Sequence, residues 1–548
     1  MNVASIIDNH LPSPHGNRQG LSNGELAVLL VTYIVSEGDH RICCLEKWVG
    51  EHHRSLEGIT GCPIREKEAT DDRCGDLLRT LGLTQTMTEM EMSLSQHLVK
   101  AYELPTEKAR SDTTSFSVYH QISEEEEESS VIKFGYSKDK RPDLRQYRQM
   151  LATLDPLGMP LLGATLAGNG GDESDYLPTW RKMTEILCHR EFLYLADSKA
   201  STWENRAKIH AEGGIYCFPL AMTQPRPKLL ADWLENPMTE VIKIVEKNEE
   251  ELEPLEVGLG FEVPLGNIWI DPESKKDYQW LERWLVVKSN ALASRQIKGL
   301  ENRLVKGEQA LLSLQKRPGK DEKLLEQKIQ ELLKNSGLTK YIEYSIEKKI
   351  TYKKVYKGRG SRSKESSYRR VRTTTLILNY ERLSTEIESF KTLAGWRLYV
   401  TNATPERLSL TEAVEAYKEQ WQPERGFHRF KRGRLSALPI YFRDEEKIKG
   451  LMFLLTIALR VFTLMEFVVR RQLHQCQSSL AGLYDGNPKR TTDRPTAEKM
   501  LKAFSNITLY IHRDGSWEIS CLNLVQQQIL KLMNVPEFIY TTDYLASG

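Results

Sequence analysis

The 548-residue sequence has almost no excess charge of either sign: 76 lysines and arginines face 75 aspartates and glutamates, a net charge of +1. Overall charge therefore argues neither for nor against nucleic acid, and only its distribution along the chain is informative. Cysteine is sparse. Its eight positions (43, 44, 62, 74, 188, 217, 476 and 521) include no CxxC pair and no regular framework. That excludes a disulfide scaffold and fits a reducing cytoplasm. Cys43, Cys44, His52, His53, Cys62 and Cys74 are near one another in sequence, but their spacing matches no zinc pattern. The opening stretch MNVASIIDNHLPSPHGNRQG lacks an apolar core, so no signal peptide is expected. There is no internal repeat. A single window, Gly450 to Val469, is long and apolar enough to span a bilayer. It contains Arg460 and Glu466 between charged flanks, and a buried core helix is the expectation, with no membrane partner.

What is present is ordinary for a folded protein, 40% apolar and 28% charged, with length for two to four domains. Residues 1–105 read as a helical domain, with apolar residues recurring at three and four in LAVLLVTYIV, LEKWVGEHH and MTEMEMSLSQHLVKAYEL. Residues 106–222 change texture. SDTTSFSVYH, VIKFGYS, QYRQMLATL and MPLLGATLAGN read as extended pieces, with the turn Asp155-Pro156-Leu157-Gly158 between the last two. The helix SDYLPTWRKMTEILCHR and the buried strand EFLYLAD follow, the latter running into Asp197. Glu124 to Glu128 is an acidic insert, read as a solvated loop. Residues 223–389 break the pattern: an acidic linker from Glu249 to Glu256, a strand at WLERWLVVKSN, and helix from Ala291 to Leu333 interrupted at Arg317-Pro318-Gly319. Within it Lys348 to Arg372 holds eleven Lys or Arg against one Glu, interleaved with Tyr352, Tyr356 and Tyr368. Such a loop can follow a phosphate backbone, and Lys353, Lys354, Arg359, Arg369 and Arg370 are its candidate contacts. Residues 390–473 contain the strand RLYVTNA, a helix through LSLTEAVEAYKEQWQ with Ser409 or Thr411 as N-cap, and the long apolar helix; residues 474–548 form a mainly helical C-terminal region.

The stretch Tyr417 to Lys431, YKEQWQPERGFHRFK, is the most telling. Tyr417, Glu424 and Lys431 are one heptad apart, which on a continuous helix puts them in one stripe. One carboxylate stands there amid Arg425, His428, Arg429, Arg432 and Arg434. That suits a metal ligand beside a phosphate-binding surface. Pro423 either kinks the helix or opens a second segment.

Two-metal phosphoryl transfer needs several carboxylates converging on two divalent ions. Asp112 at the head of the first strand, Asp197 at the end of the fourth and Glu424 on the late helix are the candidates. They are separated by 85 and 227 residues, and the second gap demands an inserted domain, which the 223–389 region supplies. Asp172 and Asp175, the rivals for the second carboxylate, follow a glycine cluster and read as loop residues, Asp175 as a helix N-cap. Asp155 is accounted for by its turn.

The stretch resembles the Y-x2-R-x3-E-x6-K signature of IS4-type insertion-sequence transposases, and the whole chain resembles their IS1634 branch. Asp112 in DTTSF, Asp197 in LADSKA and Glu424 resemble the family's DDE triad; GNGGDESD, ERWLVVKS and GWRLYVTNA are also similar, over roughly Leu21 to Tyr510. Gln420 departs from the signature, standing where the family has Arg. The resemblance implies an α/β fold: an RNase H-like catalytic domain interrupted by a mixed β/helical insertion, with a helical N-terminal domain for DNA binding, dimerisation or both. It implies a DNA transposase that cuts at element ends and joins them to target DNA, with two Mg²⁺ ions, for which Mn²⁺ can substitute, held by Asp112, Asp197 and Glu424. Tyr417, Gln420, Arg425, Lys431, Arg432 and Arg434 are the expected DNA contacts near the cut. The implied partners are double-stranded DNA, both terminal inverted repeats and target, and a second copy of the chain in a homodimer. The expected location is a prokaryotic cytoplasm, on the nucleoid when DNA-bound. The alternatives are an inactive DNA-binding relic and an RNase H-like nuclease without strand transfer.

Overall fold

The computed structural model describes residues 1–12, 20–61, 63–65, 67–119, 130–246, 255–356, 368–514 and 516–541. Its centre is a nine-stranded mixed sheet in the order β3-β2-β1-β4-β5-β11-β8-β7-β6. Strands β1 (Lys108–Val118), β2 (Arg145–Leu154) and β3 (Met159–Ala167) form an antiparallel meander. The Asp155–Gly158 turn joins the last two, with positive φ at Leu157 and Gly158. Helix α6 (Tyr176–Leu187) then returns the chain to β4 (Leu193–Ala196), which pairs parallel with β1. Helix α7 (Trp203–Ala211) leads to β5 (Ile215–Leu220), parallel to β4. Through β4 this order is consistent with the expected RNase H-like first half, to which the structure adds α7 and β5. VIKFGYS is a correction: it forms no strand, and among its residues only Lys133 makes a β-bridge, an isolated one to Gln146. The acidic insert Glu124 to Glu128 lies outside the described residues.

The chain between 223 and 389 divides in two. Its first part adds strands to the same sheet: β6 (Ile242–Glu246), β7 (Leu255–Ile270) and β8 (Asp277–Ser289). They join through β11 (Trp396–Thr401), which lies antiparallel to both β5 and β8. Glu282 of β8 locks the addition to α7. It is fully buried, takes both carboxylate oxygens to Arg206 Nη1 at 2.8 and 2.6 Å, and accepts from Asn267 and Tyr216. The second part has its own core. Helices α9 (Asn290–Lys316) and α10 (Glu322–Ser336) separate at the expected Arg317–Gly319 break and pack Leu304, Leu311 and Ile329 against Leu376 and Leu378. These last belong to a separate hairpin, β9 (Ile342–Tyr356) and β10 (Tyr368–Arg382).

Helices α1 (Val3–His10), α2 (Asn23–Glu37), α3 (Leu45–Thr60), α4 (Asp71–Leu81) and α5 (Thr84–Tyr102) form the N-terminal region. Ser22 caps α2 in a reciprocal capping box with Glu25. These helices share one apolar core with helix α14 (Glu445–Gln475), which also packs on β3. Helix α14 is long and apolar enough to cross a membrane, yet 83% of its most apolar window is buried inside the protein. Its charges are matched within the core. Arg460 pairs with Glu91 of α5 at 2.5 Å and donates to the Pro160 and Leu161 carbonyls.

Candidate active site

Strand register brings the first two carboxylates together. β1 and β4 pair in parallel from Lys108↔Leu193 to Ser111↔Ala196, so the next residues in step are Asp112 and Asp197. The 85-residue separation noted in the sequence is the register itself. Asp197 ends β4 and caps the turn after it, its Oδ1 accepting from Lys199 N at 2.9 Å and from the Tyr176 hydroxyl at 2.7 Å. Asp112 Oδ1 accepts from Thr113 N at 2.8 Å. Burial pushes the Asp112 carboxyl up to about 7; the Thr113 N–H and the Lys138 ammonium oppose this, and the charges of Asp197 and Glu424 add to it. Burial, then Asp197 and Asp112, likewise push the Tyr176 phenol far above its ordinary value.

The third carboxylate arrives from a broken helix. Helix α12 (Leu410–Lys418) starts at Ser409, whose side chain and Glu412 form a capping box, and ends one residue past Tyr417. Helix α13 (Trp421–Lys431) then begins anew, and Pro423 falls in its first turn, where amide groups have no intrahelical partner. Tyr417 and Glu424 are therefore on different segments. Helix α13 buries Pro423, Gly426, Phe427 and Phe430 and leaves Trp421, Glu424 and His428 exposed, the i, i+3, i+7 face. It packs on β1 and β2, and its Glu424 is felt at Asp112. Tyr417 sits with its ring 4.7 Å from that of Tyr399; burial raises its phenol, Arg397 opposes, and Asp197 and Asp112 add to the rise. Lys431 Nζ lies 3.2 Å from Asp139 and over the Phe116 ring.

Other expected contacts divide sharply. Arg425 turns inward to Glu466 of α14 at 2.6 Å, beside Arg429 at 2.5 Å; Glu466 is fully buried and also accepts from Ala497 N. Arg434 donates from Nε to the Val35 carbonyl at 3.2 Å, and from Nη2 to that of Ser36, at the end of α2. Both side chains are thus engaged within the protein. Helix α13 restarts after the break, and its phase is set by the buried acid on α14 rather than by an exterior stripe. Arg432 is exposed. Gln420 is drawn into a cluster that sequence reasoning missed: fully buried Arg110 reaches it at 3.4 Å, while binding Asp155 bidentately at 2.7 and 2.8 Å and Glu419 at 3.2 Å. Asp155 thus has a partner beyond its turn. Asp172 and Asp175 are both held by Arg148, at 2.9 and 2.5 Å; Asp175 occupies the N-cap position, but its side chain does not cap. Lys353, Lys354, Arg369 and Arg370 are exposed on the β9–β10 hairpin, and Arg359 lies outside the described residues. Trp280 and Trp284 are core residues, and Trp269 is partly buried against Tyr278.

Among the described residues no three His, Cys, Asp or Glu side chains are gathered tightly enough to hold a metal ion as they stand. The donor chemistry nevertheless suits a hard divalent cation. Asp112 and Asp197 each have one oxygen fixed by protein donors, and their Oδ2 atoms accept from no described residue. Comparison with curated proteins finds no match. The family model of the transposase DDE domain matches residues 111–461, close to two thirds of the chain, from the residue before Asp112 to the middle of α14. On that match, the chain belongs to the transposase DDE-domain family.

Proposed function

We propose that this transposase cleaves DNA at the ends of its element and joins the freed 3′ ends to target DNA, with Asp112, Asp197 and Glu424 holding two divalent ions. Mg²⁺ is the expected ion and Mn²⁺ its substitute. The observation that carries this is the parallel register that sets Asp112 beside Asp197, with Glu424 close enough to raise the Asp112 carboxyl. Bound there, the ions would activate water or a 3′ hydroxyl and stabilise the departing oxygen. The chain's own groups prepare the site. The Thr113 amide fixes one oxygen of Asp112, and the Tyr176 hydroxyl and Lys199 amide fix one of Asp197. In each case this leaves the second oxygen to face a cation. The Tyr417 phenol can donate to a phosphate oxygen, and Lys431 supplies a point charge once it exchanges Asp139 for DNA. Duplex DNA with terminal inverted repeats, target DNA and a second copy of the chain are the partners of this reading.

The test is Mg²⁺-dependent cleavage of a duplex carrying the element's ends. Wild type is expected to cut, while Glu424→Gln binds the same duplex and cuts at least about a hundredfold more slowly. Equal cutting by both would remove Glu424 from the site. A strand-transfer assay on the same substrate separates a transposase from a nuclease that cuts without joining.

A further inference from the structure

The β9–β10 hairpin outgrows the core it belongs to. Opposed residues on an antiparallel pair share a face. Ile346↔Leu378 and Lys348↔Leu376 begin the face that covers α9 and α10. The same face continues outward through Ile350↔Thr374, Tyr352↔Arg372, Lys354↔Arg370 and Tyr356↔Tyr368. From Ile350 to Tyr356 every residue of β9 is exposed, so both faces of the ribbon stand in solvent for roughly 20 Å at ~3.3 Å per residue. No acid occurs in 348–356 or 368–379. Lys348 pairs with Glu322; the remaining cations of these two segments meet no carboxylate among the described residues. Lys354 Nζ lies 4.6 Å above the Tyr368 ring, so cation and aromatic form one surface. A bare two-stranded ribbon is marginal in water, and its like charges repel one another. A polyanion relieves both problems, and a β-ribbon fits the major groove of B-DNA.

We propose that the outer half of this hairpin is a second DNA-docking element, set on its own sheet, whose tyrosine-bearing face lies against duplex DNA. The inference rests on the reading of the protein as one that acts on DNA. Two triple variants of equal charge test it: Lys354→Gln/Arg370→Gln/Arg372→Gln on the tyrosine face, and Lys349→Gln/Lys353→Gln/Arg369→Gln on the other. Binding of the full-length protein to a mixed-sequence duplex is measured across a salt series. The tyrosine-face variant is expected to flatten the slope of log K against log salt by about 2.7, and the other by less than about 1. Equal flattening overturns the face assignment, and unchanged slopes in both remove the hairpin from the interface. Mg²⁺-dependent cleavage by wild type is read separately. Cleavage with unchanged slopes sinks the arm alone; altered slopes without cleavage sink the transposition reading and leave the arm standing.

A second inference rests on Arg110. It lies two residues before Asp112 on the same face of β1, fully buried, and its guanidinium spans three elements. Asp155 on the β2–β3 turn takes two of its bonds; Glu419 and Gln420, the joint between α12 and α13, take the others. Gln422 Oε1 fastens the same joint by accepting from Gly158 N at 2.8 Å. We infer that Arg110 is a positioning residue that sets Glu424 against Asp112. It also explains Gln420: an arginine there would push a second guanidinium against the first. Gln420→Arg is expected to slow cleavage at least about tenfold with DNA binding retained, and Arg110→Gln/Gln420→Arg to recover most of that loss. Arg110→Lys, which keeps the charge without the fork, should be intermediate in rate. A Gln420→Arg protein that cuts like wild type, or a double variant no better than the worse single one, overturns the assignment. Should Gln420→Arg fail to fold, the Arg110→Lys rate decides: a wild-type rate overturns it.

Discussion

At the scale of the residue, the site is governed by what each carboxylate touches. Asp112 is half-buried beside two other acids, and its carboxyl is held near 7 rather than near 4. The folded protein therefore keeps a proton that the unfolded chain has lost. Below about pH 4 both states are protonated and the group costs nothing. The cost grows as pH rises and is complete above about 7. Asp112→Asn is accordingly expected to stabilise the metal-free protein at pH 8, by something on the order of 2–4 kcal/mol, and to leave it unchanged at pH 4. Urea midpoints in EDTA at the two pH values check this. The same variant should lose any rise in melting temperature that Mg²⁺ gives wild type, because an ion that binds only the folded state stabilises it by mass action.

At the scale of the element, helix α13 is held from behind. Glu466 on α14 gathers Arg425, Arg429 and Arg470, and Arg429 continues to Glu498 at 2.8 Å. Replacing Glu466 by Gln leaves these guanidiniums short of a charge in a dry site. A loss of about 3 kcal/mol is expected, read as a lowered melting temperature, with cleavage reduced in the protein that still folds. This anchoring shows what the sequence could and could not disclose. Helix α12 was legible from Ser409 and Glu412, because capping is a local matter. The break before Glu424 was foreshadowed by Pro423. The inward turn of Arg425 was not, since its partner is 41 residues away on another helix. Strand β7 is not legible in the sequence, since Gly258, Gly260, Pro264 and Gly266 interrupt its strand-like run. Two of them are there for space: a Cβ on Gly258 would sit 2.0 Å from the Lys288 carbonyl oxygen, and one on Gly260 would meet Leu410 at 2.8 Å. VIKFGYS differs the other way: its residues are strand-like, but beyond the Lys133 bridge to Gln146 it forms no ladder. Asp197 follows the end of β4 as expected, whereas Asp112 lies inside β1 rather than at its head, and the reason they meet, a shared register, belongs to the sheet.

At the scale of the molecule, the N-terminal helices and the sheet close over the same helix. Ile34 of α2, Leu78 of α4 and Phe116 of β1 belong to one core with Leu455 and Leu459 of α14. Removing residues 1–105 strips cover from an apolar helix. The truncated chain is expected to bind a hydrophobic dye such as ANS strongly and to lose a sharp thermal transition, whereas the intact chain melts this core in one step. Dye binding and near-ultraviolet circular dichroism, compared between the two chains, test it.

The single sheet that runs from β3 through β1 to β8 and β6 has a mechanical consequence. Hydrogen-bonded strands are stiff across their ladder, and Glu282 with Arg206 clamps the added strands to the original ones. In the proposed reaction, force applied at the far rim by bound DNA would reach β1 and β4 through one continuous ladder, so distortion of the nucleic acid, rather than closure of the protein, is the expected compliant coordinate.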